Sequence, residues 1–327
     1  MNYMPAPPSL SFDDASTFAS ALTQANVSCV QTSAGPIRFE LSFFRSRQLE
    51  LHFTALPVGC CVAVGSSANV PSSYHIPLGE TLLLAMMGQP MGEAALVSYA
   101  HGSEHAIRAR SGARLAYVVP GEDLLHEASR SYIGRDAVAR KSKSKVSFAD
   151  PARMGDLRTY LDDVFDLICK APQAMQSPAV IRNIEQALME RLLAADTSET
   201  MKGAAVGRMP VSRGAILRKV DELLRLETSE PIYVSELCTA TGVSQPTLFR
   251  IFYDVLGLSP KQYLQLRRLH LARNKLLHDG DPALSVSSVA FDCGFWQLGR
   301  FGQAYRGLFG ETPSQTLKRS RRLPAFR

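Results

Sequence analysis

An internal repeat in the last hundred residues constrains this chain more than any other feature. The segment Val234-Ser235-Glu236-Leu237-Cys238-Thr239-Ala240-Thr241-Gly242 is matched by Val286-Ser287-Ser288-Val289-Ala290-Phe291-Asp292-Cys293-Gly294. Val, Ser, an aliphatic residue and Gly recur at a separation of 52. Further on, Leu256-Gly257-Leu258-Ser259-Pro260 is echoed by Phe309-Gly310-Glu311-Thr312-Pro313 at a separation of 53, so one residue is inserted between the matching blocks. Repeats of this kind indicate modular architecture. Each copy reads as a short helix, a tight turn at Gly and a second helix that stops at Gly-x-Ser/Thr-Pro. A glycine takes positive φ at little cost, which lets two helices meet steeply. Ser244 stands where it would cap the second helix of the first copy, with Pro246 in the first turn, where a missing N–H costs little.

Two helix-turn-helix units follow from this reading. Such a unit buries one face of its second helix and offers the other to a DNA major groove. In unit one Leu248, Ile251, Phe252 and Val255 form the inward stripe, which leaves Gln245, Thr247, Phe249 and Arg250 facing outward. In unit two Phe301, Ala304, Tyr305 and Leu308 pack inward, while Gln297, Gly299, Arg300 and Gln303 point out. Arg pairs bidentately with guanine and Gln with adenine. The candidate DNA-contacting residues are therefore Ser244, Gln245, Thr247, Arg250, Gln297, Arg300 and Gln303. A helix over 264–278 would hold the two readers about one DNA turn apart, roughly 34 Å, and its Arg267, Arg268, Arg273 and Lys275 are candidates for phosphate contacts.

Charge sharpens the contrast between the two ends of the chain. From Arg208 onward there are 18 Lys/Arg against 10 Asp/Glu, whereas residues 1–207 hold 18 against 20. A basic C-terminal part on a near-neutral body suits a polyanionic partner.

The first two hundred residues read differently. Residues 1–35 are polar, with early prolines, and suggest a loose arm with a short helix. Between Ile37 and Pro120, short apolar runs (37–44, 49–56, 59–65, 80–87, 95–100 and 114–119) are separated by Gly, Pro, Ser and Asn, the pattern of a β-sandwich or barrel. Helical spacing follows over 121–133, 155–171 and 177–195, and the basic run 140–148 reads as an exposed loop. The last two helices suggest a hairpin whose apolar stripes pack on the barrel or, the preferred expectation, on a second subunit. The fold class expected is α+β: a β-rich, cupin-like barrel or sandwich with a helical hairpin over 1–195, a linker over 196–211, and an all-α double helix-turn-helix domain over 212–327. At 327 residues two domains are natural. Six cysteines without C-x-x-C spacing suggest reduced thiols rather than a disulfide framework or zinc site. The start of the chain has no signal-like segment and no run is long and apolar enough to span a bilayer, so a cytoplasmic location without membrane attachment is expected.

The repeat also carries a resemblance. Residues 213–319 resemble the DNA-binding domain of the AraC/XylS family of bacterial regulators. The resemblance is densest in VAFDCGFWQLGRFGQAYRGLFGETPS (289–314), at Gly294-Phe295, Phe301, Tyr305-Arg306, Phe309-Gly310 and Pro313-Ser314. It implies a reader whose second helices enter successive major grooves, with Arg250, Gln297, Gly299, Arg300 and Gln303 at base-facing or backbone-facing positions. Pro246 and Gly299 depart from the family's pattern by offering no hydrogen bond. The stretch Gly294–Phe301 is similar to a subgroup that activates catabolic genes for aromatic acids and amines. The resemblance further implies a β-domain that binds an effector, a hairpin that makes a homodimer, and RNA polymerase as a partner beside double-stranded DNA.

Candidates for effector contacts are the cations Arg45, Arg47, Arg108, Arg110 and Arg114, with Arg38 as a further one. His52, Tyr74, His75, His101 and His105 are candidates for completing a polar pocket. Each also fits an ordinary solvated position. Arg110 and Arg114 share the R-x-x-x-R spacing of some cyclic-dinucleotide binders. His101-Gly102-Ser103-Glu104-His105 offers metal-ligand types without the spacing of a barrel metal motif, so neither a metal nor a cofactor is expected. The alternative of an enzyme with a DNA-binding tail needs an activated cysteine, and Cys29 and Cys60-Cys61 sit in apolar runs without a nearby His or Arg motif. A regulator controlled by a protein partner or by abundance is the remaining alternative.

Overall fold

The computed structural model of the chain describes residues 9–22, 26–66, 72–79, 84–92, 94–133, 145–197, 211–226, 232–278, 281 and 283–321. The elements in chain order are β1 (Leu10–Phe12), α1 (Ala15–Ala21), β2 (Asn26–Gln31), β3 (Arg38–Arg45), β4 (Leu49–Val58), β5 (Cys61–Ser66), β6 (Ser72–Leu78), β7 (Leu84–Met86), β8 (Gln89–Pro90), β9 (Ala95–Ala100), β10 (Glu104–Ala109), β11 (Ala113–Pro120) and α2 (Glu122–Ile133). There follow β12 (Lys145–Phe148), α3 (Pro151–Lys170), a 3-10 turn (Pro172–Gln176), α4 (Pro178–Thr197), α5 (Val211–Leu226), α6 (Val234–Thr241), α7 (Gln245–Leu256), α8 (Pro260–His278), α9 (Val286–Asp292), α10 (Leu298–Phe309) and α11 (Pro313–Ser320).

Two antiparallel sheets make the N-terminal domain. One has seven strands in the order β1-β3-β4-β11-β6-β9-β12, the other five in the order β2-β5-β10-β7-β8. Successive side chains on a strand point to opposite faces, and here both faces of each sheet are covered. On β4, Leu49, Leu51 and Phe53 turn outward onto the helices, while His52, Thr54 and Leu56 turn into the space between the sheets. On β11, Ala116 and Val118 face the helices and Leu115 and Tyr117 face inward. The five-stranded sheet repeats the scheme with a different outer partner. On β5, Cys61, Ala63 and Gly65 face the inter-sheet space, while Val62 and Val64 pack into the core of the C-terminal domain.

The structure differs from the sequence reading in four places. Residues 9–22 and 26–31 are not a loose arm. They supply β1, α1 and β2, and α1 is started by Asp14, whose carboxylate accepts from the Ser16 and Thr17 amides at 2.9 and 3.0 Å. Of the presumed basic loop, Lys145–Phe148 is a strand paired with β9, and residues 140–144 lie outside the described residues. The hairpin α3–α4 spends its apolar stripes on its own barrel, not on a second subunit: Leu157, Leu161, Val164, Ile168, Ile184, Leu188 and Leu192 are buried in one core with Leu51, Phe53, Ile76 and Val118. Burying an aliphatic side chain of this size stabilises by about 1.5–3 kcal/mol, which favours the intramolecular contact that is always at hand. Finally, β2, β6 and β10 were not among the expected runs. Most of the expected linker, 198–210, lies outside the described residues. Among the described residues no helix is long and apolar enough to cross a membrane.

Candidate nucleic-acid interface

The two repeats fold as two helix-turn-helix units of matching dimensions. Unit one is α6 and α7, unit two α9 and α10, and both second helices have 12 residues. Gly242 and Gly294 occupy the turns at φ 72° and 77°, and Gly257 and Gly310 close the second helices at φ 69° and 74°. A Cβ in this left-handed region is strained, so the turn glycines set the steep exit from the first helix. The inserted residue lies in the turn. Two positions carry the chain from Gly242 to the N-cap Ser244, whereas three carry it from Gly294 to the N-cap Gln297.

The repeat extends into the helices that follow each unit. Ser259-Pro260-Lys261-Gln262 opens α8 and Thr312-Pro313-Ser314-Gln315 opens α11 with the same reciprocal cap. Gln262 Oε1 accepts from the Ser259 amide at 2.9 Å, and Ser259 Oγ from the Gln262 amide at 3.2 Å. In the second copy the distances are 2.7 and 3.3 Å. Each pair satisfies two amides that a helix start leaves without intrahelical partners. The spacing S/T-P-x-Q is the signal that was available for this.

Each expected inward stripe is inward. Leu248, Ile251, Phe252 and Val255 are buried, as are Phe301, Tyr305 and Leu308, with Ala304 partly so. The Tyr305 hydroxyl bonds Thr316 Oγ1 at 2.9 Å and ties α10 to α11.

On the outer faces Gln245, Arg250, Gln297, Arg300 and Gln303 are exposed and Thr247 is half-exposed. Neither Arg250 nor Arg300 has an ion pair among the described residues. Ser244 does occupy the N-cap position but makes no capping bond; its hydroxyl meets Thr247 Oγ1 at 3.0 Å, which leaves the first amides of α7 open. Open amides at a helix start attract anions such as phosphate. Apolar side chains are exposed beside these residues: Phe249, expected to face outward, and also Trp296 and Leu298, which were not among the expected outer residues. Apolar groups at a reading helix suit thymine methyls.

The cations of α8 were expected at phosphates and are committed elsewhere. Arg273 is buried between Asp14 at 3.3 Å and Glu311 at 2.8 Å and lies over the Phe309 ring. Arg268 donates to the Ile232 carbonyl at 2.5 Å, and Lys275 pairs with Asp292 at 3.2 Å. Arg267 is half-buried, 3.9 Å from Asp221. The 19 residues of α8 make a spacer of roughly 28 Å.

The β-domain grips both units away from these outer faces. Val30, Val62, Val64 and Ala106 complete the core of unit one, the backbone of Gly88 meets that of Asp254, and the Arg108 guanidinium lies on Gly257. Unit two is held by hydrogen bonds: the Gly35 amide and Gln31 Nε2 both donate to the Leu308 carbonyl, at 2.9 and 3.0 Å, near the end of α10 where carbonyls lack helical partners. The Gln31 amide donates to His270 Nε2 at 2.9 Å, and burial pushes that imidazole down to about 4.

The five arginines expected at an effector do not converge. Arg45 pairs with Glu50 at 2.9 Å, Arg114 with Asp162 at 2.7 Å, Arg108 faces unit one, and Arg47 and Arg110 are exposed. Among the histidine and tyrosine candidates, His52, His75 and His105 are buried at the inter-sheet space, Tyr74 faces the helical layer and His101 is exposed. Among the described residues no group of three His, Cys, Asp or Glu is arranged to hold a metal ion. Cys29 is buried beside Cys61, and that hydrogen bond together with burial raises its thiol well above its ordinary range, away from the thiolate.

Comparison with known proteins bears on the same region. A family model described as a helix-turn-helix domain matches residues 237–319. The XylDLEGF operon transcriptional activator 1 of Pseudomonas putida is 28% identical over 181 residues, 55% of this chain and 53% of that protein. The XylDLEGF operon transcriptional activator 3 of the same organism is 32% identical over 120 residues, 36% of each chain. Among solved structures, a probable AraC family transcriptional regulator from Rhodopseudomonas palustris is 36% identical over 32% of this chain and 97% of its own, with a TM-score of 0.30. The chain spans about half the length of the first curated relatives it matches.

Proposed function

In its C-terminal third this chain belongs to the AraC/XylS family, and from that premise we propose that it is a sequence-specific DNA-binding transcriptional regulator, an effector-responsive activator of catabolic genes. One observation carries the reading: two reading helices of equal length, with the same glycine punctuation, each expose an arginine without an ion pair among the described residues, Arg250 and Arg300, while Arg268, Arg273 and Lys275 of the neighbouring α8 are committed to partners within the protein. Free cations and glutamines on the outer faces are what base and phosphate contacts require. Ser244, Gln245, Thr247 and Arg250 would serve one major groove, and Gln297, Arg300 and Gln303 the next. The reading takes 212–327 as the DNA-binding domain, 1–195 as the sensing domain and 196–211 as the linker. Double-stranded DNA is the primary partner and RNA polymerase the protein partner in activation. A homodimer would use the polar outer sides of α3 and α4, since their apolar stripes are occupied. The regulator acts in the cytoplasm.

Footprinting of the purified chain on genomic DNA tests this. Two protected boxes about one helical turn apart support the reading. Absence of protection at low salt by folded protein overturns it.

A further inference from the structure

A cavity of about 100 Å3 lies between the two sheets of the N-terminal domain. Its walls are mostly apolar, with Phe18, Phe39, Leu56, Leu84 and Leu115 among them. One part is polar: His52, His75, His105 and Tyr117. His75 comes from the seven-stranded sheet and His105 from the five-stranded one, and their ring centroids stand 5.4 Å apart. Two of the imidazoles are tied. His52 Nε2 meets the Glu50 carboxylate at 2.5 Å, and His75 Nδ1 meets the Tyr99 hydroxyl at 3.1 Å. His105 stacks on Tyr99, is 4% exposed, and among the described residues its Nε2 has no hydrogen-bond partner. A buried nitrogen left in that state costs about 1–3 kcal/mol, which a bonded ligand would recover.

The chemistry of such a ligand follows from charge and size. Burial drives the His105 imidazole down to about 3 and that of His75 well below its ordinary value, so both are neutral near pH 7. Among the described residues no Arg or Lys lines the cavity, and Glu50 brings a carboxylate to His52 at its polar part. An anion there would be stripped of water without a counter-charge, a cost no cavity of this kind offsets. The volume is of the order of the roughly 150 Å3 engineered apolar cavity that takes up benzene. A hydroxyl donates or accepts, so it serves either tautomer of a neutral imidazole. We propose that the inter-sheet cavity binds a small uncharged alcohol or phenol, about one ring in size, whose hydroxyl bonds His105 Nε2.

That this ligand is the effector rests on the regulator reading above; the binding itself does not. The route between the two is short. Cys61, Ala63 and Gly65 line the cavity, while Val62 and Val64, the residues between them, lie in the core of unit one. Pressure on one face of β5 is thereby delivered to the other.

Calorimetric titration of the full chain with benzyl alcohol, toluene and benzoate tests the proposal. Benzyl alcohol is expected to bind one to one, several-fold tighter than toluene and at least tenfold tighter than benzoate. His105→Leu should erase the preference for the alcohol over toluene, His105→Gln should keep it, and Ala63→Leu, which fills the cavity, should abolish uptake of both. Thermal melts of each variant verify folding. Equal or tighter binding of benzoate, alcohol binding unchanged in both His105→Leu and Ala63→Leu, dependence on an added divalent metal, or no saturable binding at millimolar alcohol overturns it. Footprinting of the same samples separates the two claims. Alcohol binding that leaves the footprint unchanged removes the effector role and keeps the site, whereas a folded chain that takes up alcohol but protects no DNA removes the regulator reading.

Discussion

Units one and two share a geometry and differ in what completes them. The core of unit two is drawn from its own helices and α8, with Leu269, Leu276, Val289, Phe301, Tyr305 and Phe309 in one cluster. The core of unit one is open on one side until Val30, Val62, Val64 and Ala106 of the β-domain fill it. The β-domain meets unit one through apolar packing and unit two through hydrogen bonds to the Leu308 carbonyl. Packed apolar contacts respond to shape, while a polar tether tolerates small shifts as long as its atoms stay in reach. A signal arising in the β-domain therefore reaches the two readers by unlike means, and unit one is the more tightly bound to it.

The comparison is most severely tested by matched truncations. Phe252→Ala and Phe301→Ala each remove a fully buried ring, and each is expected to cost about 3–5 kcal/mol. In urea unfolding followed by hydrogen exchange, Phe252→Ala should weaken protection in β5 and β10 as well as in unit one, whereas the loss from Phe301→Ala should stay within α8–α11. Equal spread from both would break the distinction. Next in size, Arg300→Ala should weaken specific DNA binding by about 1–3 kcal/mol if the side chain reads a base. A loss that is the same on all sequences would make it a phosphate contact. Val62→Ala removes two methyl groups at the shared core and should lower stability by about 2 kcal/mol, with unit one and the β-domain melting together. Gln31→Ala, which removes one of the two donors to the Leu308 carbonyl, should cost about 0.5–1.5 kcal/mol and loosen α10 alone.

Acidity probes the same tether. The unfolded chain protonates His270 near its ordinary 6.5, the folded chain only near 4, so the unfolded state binds more protons between these values. The contribution of neutral His270 is complete above pH 6.5 and declines as pH falls towards 4. A His270→Gln variant, read by thermal melts across that window, should show a shallower acid decline than the parent chain.

The two domains were unequally legible. The helix-turn-helix units announce themselves locally, because glycines, prolines and caps within a few residues decide where each helix starts and stops. The strands that escaped notice, β2, β6 and β10, are the ones that carry Gln31, His75 and His105. On β2 the faces alternate, Val27 and Cys29 lining the cavity and Val30 lying in the core of unit one, but hydropathy does not alternate with them, because both faces are covered and polar residues such as Gln31 are buried with partners from other elements. Hydropathy marks a buried strand only when its inward residues are apolar. The arginines were misjudged for a similar reason. A cation reads as free in sequence, and only the fold supplies Asp14 and Glu311 to Arg273 or Asp162 to Arg114.

The five residues 61–65 of β5 carry a consequence for genetics. Because neighbours along this strand belong to different faces, a selection for altered inducer response should return two interleaved classes of mutation. Changes at 61, 63 and 65 would alter which compound is accepted, and changes at 62 and 64 would give alleles that ignore the compound or no longer need it. Recognition and transmission would then map to alternate codons of a single short stretch of the gene.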